Sequence, residues 1–467
     1  MSRPSSGSGS GWARMTIRPI ARTVVLGLVA GLLATLSIAL PGPVDARESN
    51  PVTPGDFTGY GFDQCQAPSQ RTMNQWRLHS PFWAVGVYIA GDERACRDQT
   101  NLDADWVRTQ LAKGWHLLPI TLGPQASCQP RFPRYPGDVT INPKPGKSGR
   151  YGAARKQGTA EASEAVATAQ SLGIVAGSTM FYDLEGFDLS NTRCRESALA
   201  FLSAWTTQVH ALGYVSGVYS SAGSGIKMLD DARVKRPGQF DLPDQLWVAR
   251  WDGRADTSVS SAYLRSDGWV PHARVKQYQG GHDETWGRAK VNIDRDFLDV
   301  GRGSVAPSES HCNGTVITHP NYPRLRPATT TYTPQPGMVR TLQCLLSEQK
   351  VYRGKLNGKY DDATLAAVGQ WQADHALPAR TTWSRPAWMT LLAAGDRPLL
   401  KFGSAGLEVR RVQRALNADS WKARLNVTGV FDAATQAALR GYQDKVGLPI
   451  DGIVAGATWT ALATGQR

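Results

Sequence analysis

From residue 59 onward, short apolar runs rich in β-branched and aromatic residues alternate with longer segments whose apolar positions recur at i, i+3 and i+4. The runs are 59–65 (GYGFDQC), 84–90 (AVGVYIA), 116–123 (HLLPITLG), 179–185 (TMFYDLE), 215–221 (VSGVYSS), 245–252 (QLWVARWD), 274–279 (RVKQYQ) and 292–299 (NIDRDFLD), eight in all. Helical periodicity fills 102–113, 152–172 and 197–212. Alternating strand and helix predicts a parallel sheet, and eight units in about 245 residues match an α/β fold of the TIM-type (β/α)8 barrel, placed at 56–302. A doubly wound open sheet is the rival. It calls for a Gly-rich phosphate loop after the first strand, and GFDQCQAPS is not one.

The pattern then changes twice. Residues 303–337 lack periodicity and are rich in Pro, Thr and Ser, which reads as a semi-rigid extended linker. Beyond it the chain repeats itself at an offset of 70–71 residues: VRTLQCLL matches VRRVQRAL, and YDDATLAAVGQWQ matches FDAATQAALRGYQ. Each copy predicts three short helices, with Asp361 or Asp432 capping the second. The copies occupy 338–395 and 399–465. A bundle this small is a binding module, not an enzyme.

At 179–186 (TMFYDLEG) an apolar run ends in two carboxylates at i and i+2. On a strand, the period of two puts Asp183 and Glu185 on one face, where two acids cannot both ionise easily. One then holds a proton near neutral pH, as general acid catalysis requires. A bare D-x-E is a weak motif, but the barrel gives it company. Asp63, Asp183, Glu185, Asp252, Gln277 and Asp294 all fall near the ends of strands, the face on which barrel active sites are built. Tyr60, Tyr88, Tyr182, Tyr219, Trp247, Trp251 and Tyr278 lie on the same strands and include candidate stacking platforms for a sugar.

Charge and cysteines narrow the setting. Lys+Arg 52 against Asp+Glu 39 gives +13, which suits an anionic partner. Arg14, Arg18 and Arg22 precede the apolar run 23–40, and small residues follow near Ala46. That is the layout of an export signal over 1–46, with an uncleaved N-terminal anchor as the alternative. No Arg-Arg pair supports the twin-arginine route. The expected location is secreted and cell-wall associated, with no nucleic acid as partner and membrane contact only through an uncleaved N-terminus. Six cysteines in an exported chain favour disulfides over metal. Cys65, Cys96, Cys128 and Cys194 allow three connectivities, of which Cys96–Cys128 with Cys65–Cys194 is preferred, and Cys312 and Cys344 can pair across the linker.

Two resemblances add to this reading. Each C-terminal repeat resembles the peptidoglycan-binding module of bacterial wall hydrolases. The second copy follows that pattern through Thr428-Gly429-Val430-Phe431, Thr435, Tyr442-Gln443, Gly447-Leu448, Asp451-Gly452 and Thr458-Trp459. The first is degenerate, with Ala379-Arg380-Thr381 where the second has its Asp-Gly step. The resemblance implies that Phe431, Tyr442, Asp451 and Trp459 contact peptidoglycan. The barrel resembles the glycoside-hydrolase-like domain of exported actinobacterial proteins, relatives of the family 25 lysozymes. The matching residues are Gly61-Phe62-Asp63, Tyr182-Asp183-Leu184-Glu185, Val248-Ala249-Arg250-Trp251, Gln277-Tyr278 and Ile293-Asp294-Arg295-Asp296. It differs from the lysozymes at Gln64-Cys65 and in the insertion 127–156.

What this second resemblance implies is a muramidase-type site. Glu185 is its general acid, Asp183 stabilises charge developing on the sugar, and Asp63 and Asp294 position the substrate or orient the pair. Tyr182, Tyr219, Arg250, Trp251, Gln277 and Tyr278 contact the glycan, and no metal or cofactor is needed. The expected partner is peptidoglycan or another anionic cell-wall glycan. Two other functions remain open: a non-catalytic peptidoglycan-binding envelope protein, and a hydrolase of another envelope polysaccharide.

Overall fold

The computed structural model describes residues 49–419 and 424–467, so the expected export signal at 1–46 lies outside the described residues. The eight apolar runs become strands β1 (Phe57–Asp63), β2 (Ala84–Ala90), β3 (His116–Thr121), β4 (Thr179–Leu184), β5 (Val215–Ser221), β6 (Gln245–Ala249), β7 (Ala273–Trp286) and β8 (Ala289–Val300). They close into one barrel in sequence order. Helices α1 (Gln70–His79), α2 (Ala104–Ala112), α3 (Gly152–Ser171), α4 (Thr192–Ala211) and α5 (Lys227–Lys235) pack outside it. Ser69, Asp103 and Asn191 cap α1, α2 and α4 through side-chain oxygens that accept backbone N–H groups.

One expectation fails. The sheet is not all parallel, because β8 runs antiparallel to both β7 and β1. A parallel connection needs a dozen or more residues, whereas Trp286 and Ala289 pair across a two-residue turn that starts at Gly287, with φ +59. The polar stretch that separates the seventh and eighth runs in sequence is itself strand, and extends β7 and β8 into a long hairpin.

Side-chain parity divides the barrel into an inner and an outer core. Inside lie Phe57, Phe181, Trp247, Val275, Leu298 and Val300. Outside, Met180, Tyr182 and Leu184 of β4 meet Phe201 and Trp205 of α4. Gly86 on β2 is needed for room, since a Cβ there would stand 2.6 Å from the Cβ of Asp63.

The disulfides are Cys65–Cys96, Cys128–Cys194 and Cys312–Cys344. The third agrees with expectation and the first two replace the preferred pairing. Loops after neighbouring strands are themselves neighbours, so Cys65 after β1 meets Cys96 after β2, and Cys128 after β3 meets Cys194 after β4. A Cys65–Cys194 bridge would have had to cross the barrel mouth.

The repeats form six helices: α6 (Pro336–Glu348), α7 (Asp362–Asp374), α8 (Arg385–Leu392), α9 (Leu407–Asp419), α10 (Ala433–Lys445) and α11 (Gly456–Ala463). Asp361 and Asp432 cap α7 and α10 as the pattern implies. Both copies share one hydrophobic core. The stretch 303–337 contains no regular helix or strand before α6, yet it packs Ile317, Tyr322 and Leu325 into that core.

Residues at the start of the second repeat, ahead of α9, press against the barrel's lower end, opposite the ends of β1 to β7. Phe402 meets Tyr60 and Phe297 at 4.9 and 6.0 Å. Fully buried Lys401 donates from Nζ to the carbonyls of Arg77 and Ser80, each at 2.9 Å, and lies 4.2 Å from the Trp83 ring centroid. Those carbonyls close the C-terminal turn of α1, the negative end of its dipole. Lys401→Ala leaves both carbonyls buried without a donor and opens a cavity, and is expected to cost about 3 kcal/mol, measured by urea unfolding. A loss below about 0.5 kcal/mol would refute the contact.

Candidate active site

The barrel mouth is built by parity. Asp63 ends β1 and pairs in register with Asp294 of antiparallel β8, while Asp296 lies two residues further along the same face. Asp183 points inward from β4, and Glu185 follows just past its end. Five carboxyl groups therefore converge. Asp63, Gln64, Tyr88, Arg94, Arg134, Glu185, Asn292 and Asp294 are among the residues lining a cleft of ≈ 520 Å³, with the Cys65–Cys96 bridge in its wall.

Hydrogen bonds fix these groups in place. Gln277 is buried and donates from Nε2 to Asp63 Oδ2 at 2.8 Å. Its Oε1 accepts from the Tyr219 hydroxyl at 3.0 Å and from Trp251 Nε1 at 2.9 Å. The Tyr88 hydroxyl donates to Asp183 Oδ2 at 3.1 Å, and Trp247 Nε1 donates to Asp296 Oδ1 at 2.9 Å. Gln125 bridges the pair's backbone: its Nε2 donates to the Asp183 carbonyl at 2.7 Å, and its Oε1 accepts from the Glu185 N–H at 2.8 Å. Asp183 Oδ1 and Asp296 Oδ2 have no hydrogen-bond partner among the described residues.

Burial governs ionisation here. It pushes the Asp63 carboxyl up to about 8, aided by Asp294, and Asp294 up to about 6. Asp183 is driven well above the carboxylate range by burial and then by Glu185, and Asp296 by burial and then by Asp63. Glu185 differs: its side chain is 27% exposed and its Oε2 meets Arg131 Nη2 at 3.0 Å. Arg131 lies on the 127–156 insertion, which Cys128–Cys194 ties to the start of α4.

Of the residues nominated from sequence, Asp63, Asp183, Glu185, Asp294, Gln277, Tyr219 and Trp251 come together at the mouth. Arg250 lies exposed with its guanidinium 5.5 Å from the Tyr263 ring. Tyr182 does not reach the cleft: it is fully buried on the outer face, with its hydroxyl on the Pro124 carbonyl. Its neighbour Asp183 points inward, so parity sends Tyr182 outward. Tyr278 is likewise buried, beside Arg295. Asp252 pairs with the buried Lys276. In the second repeat Phe431, Tyr442 and Trp459 are core residues, and Asp451 accepts from Gln443 Nε2 at 2.7 Å. These four hold the module's fold and offer no exposed aromatic face. Missed from sequence were Asp296, legible as the parity partner of Asp294, and Gln125, Arg94, Arg131 and Arg134, which sit in loops without a pattern.

The chain thus joins a closed barrel with acids at its mouth to small helical modules. Residues 74–298 match the family model of the Rv2525c-like, glycoside hydrolase-like domain, and residues 405–462, within the second repeat, match a peptidoglycan binding domain. The chain carries both domains. Among solved structures it is similar to the Tat-secreted protein Rv2525c of Mycobacterium tuberculosis, at 13% identity over 52% of this chain and 95% of that one, with a TM-score of 0.35. An uncharacterised protein of B. stearothermophilus gives 18% identity, 51% and 95% coverage and a TM-score of 0.32. A family 25 glycosyl hydrolase from Bacillus anthracis gives 10%, 53% and 91%, and 0.31. No curated protein matches the chain.

The raised acids have a consequence for stability. A carboxyl that binds its proton more tightly folded than unfolded stabilises the fold at low pH, and that stability is lost as pH rises through its folded value. For Asp63 the window runs from the ordinary 3.8 to about 8. The stability of the wild type to denaturant is expected to fall from pH 5 to pH 8, and Asp63→Asn is expected to flatten that slope. Equal slopes in both proteins would mean that Asp63 is ionised throughout.

Proposed function

We propose that this chain is an exported, cell-wall-associated glycan hydrolase whose barrel cleaves peptidoglycan strands while its second helical repeat holds it to the wall. The observation that carries the reading is the Asp183–Glu185 pair on one face of the mouth, with Glu185 on the cleft and Asp183 sealed behind it. A pair of this kind shares one proton at neutral pH. A glycan entering the cleft displaces Arg131, whose side chain is 67% exposed and whose surface ion pair is worth about 1 kcal/mol or less. Glu185 gives a proton to the glycosidic oxygen, and Asp183, beneath the sugar, stabilises the oxocarbenium-like charge directly or through the substrate's acetamido group. Asp63 and Asp294 position the substrate, with Asp63 held by Gln277. Trp251, 66% exposed beside the mouth, offers a flat face for a sugar ring.

One observation favours a second reading. The Arg131–Glu185 ion pair occupies the acid's carboxylate, as it would in a barrel that binds glycan without cutting it. The experiment is release of reducing ends from purified peptidoglycan by the chain from residue 50 onward. The wild type is expected to release them, and Glu185→Gln to lose about a thousandfold in rate. Arg131→Ala is expected to retain activity. No release by the wild type, with wild type and Glu185→Gln both pelleting with the wall, would make the barrel a binding domain or a hydrolase of another envelope polysaccharide.

A further inference from the structure

Two guanidinium groups in the cleft have no role in the chemistry above. Arg94, on the loop after β2, donates from Nε to the Gly91 carbonyl at 2.7 Å, and from Nη1 to the Tyr88 carbonyl at 3.5 Å, which leaves Nη2 unused. Arg134, on the 127–156 insertion, lies exposed with its guanidinium 4.9 Å from the Phe132 ring. Both line the same cleft as Glu185 and Asp294, and neither forms an ion pair among the described residues. Asp92, Glu161 and Glu164 act on Arg94 through space, and Asp183 acts on Arg134 in the same way, while Glu93 Oε2 accepts the Arg134 backbone N–H at 2.7 Å without an ion pair to its guanidinium. The loops carrying these arginines are pinned by disulfides: Cys96 is two residues from Arg94, and Cys128 anchors the insertion. Burial keeps protons on Asp63 and Asp183, so these acids do not cancel the arginines' charge at neutral pH.

We infer that the cleft contains a subsite for an anionic substituent on the glycan, a carboxylate or a phosphate, received by Arg94 and Arg134 opposite the β1–β8 wall. The inference rests on reading the cleft as a glycan site. A planar guanidinium with free N–H groups suits an oxyanion, and two of them discriminate against an uncharged sugar.

Calorimetric titration of the chain from residue 50 onward tests it with three tetrasaccharides: chitotetraose, a peptide-free N-acetylglucosamine–N-acetylmuramic acid tetrasaccharide, and a chitotetraose phosphorylated on its sugar hydroxymethyl groups. At least one anionic sugar is expected to bind about tenfold more tightly than chitotetraose at low salt, with the advantage shrinking as salt rises. The better of the two identifies the source of the charge. Arg134→Gln, at an exposed position, and Arg94→Gln are each expected to remove that preference while leaving chitotetraose affinity within about twofold; Arg134→Lys is expected to restore part of it. Equal affinity for all three sugars overturns the subsite and leaves the glycan reading standing. A preference unchanged in both glutamine variants assigns it elsewhere and also overturns it. Absence of binding to any of the three, together with no release from peptidoglycan, overturns the glycan reading and the subsite with it.

Discussion

The antiparallel closure of the barrel by β8 is the constraint on which the mouth depends. A β8 arriving through a crossover helix would run the other way, and Asp294 and Asp296 would sit elsewhere in the register. Arriving through the hairpin, it sets Asp294 opposite Asp63 and Asp296 opposite Gly61, where no side chain intervenes. Three carboxyls then crowd one edge of the mouth. Burying charge there is costly, and the protein meets the cost with neutral acids and with neutral donors, Gln277 and Trp247, that hold them without an ion pair. Below this polar ring the barrel interior is aromatic and aliphatic, so Asp63, Asp183 and Asp296 form its ceiling.

What was legible in the chain was whatever repeats with a period. Eight apolar runs, the D-x-E at the end of the fourth, and two helical repeats with their Asp caps all follow from periods of 2.0 and 3.6. The direction of β8 was hidden because the hairpin's outer halves, which are rich in polar residues and pack against α1, read as loop. Tyr182 was within reach of the parity rule and went astray because the resemblance that covers Tyr182-Asp183-Leu184-Glu185 carried it along with the acids. The residues of the peptidoglycan-binding pattern were misread for a deeper reason: Phe431, Tyr442 and Trp459 recur because the bundle needs them inside. The insertion's arginines carry no period, and their place depends on Cys128 finding Cys194 across a gap of 66 residues.

Lys401 illustrates the limit of burial arguments drawn from composition. A lysine at the start of a short helical repeat reads as solvated, yet here it is sealed between Trp83 and the end of α1. The repeats share one core and the first residues of the second repeat seat on the barrel's closed end, so that repeat is not carried on a flexible tether. A flexible tether lets a domain sweep a volume around its neighbour, whereas a seated module fixes the direction of the cleft relative to the module.

The same economy of charge decides how negative the acid-rich cleft is. Counted as residues, the mouth has five carboxyls and should repel an anion. Counted as charges it differs, because burial keeps protons on Asp63, Asp183 and Asp296 and Arg131 offsets Glu185. The field over the cleft is then set by groups at its rim, where the chain's overall surplus of +13 favours the positive sign. Burial thus sets the charge of the mouth, because it keeps three of the five carboxyls neutral.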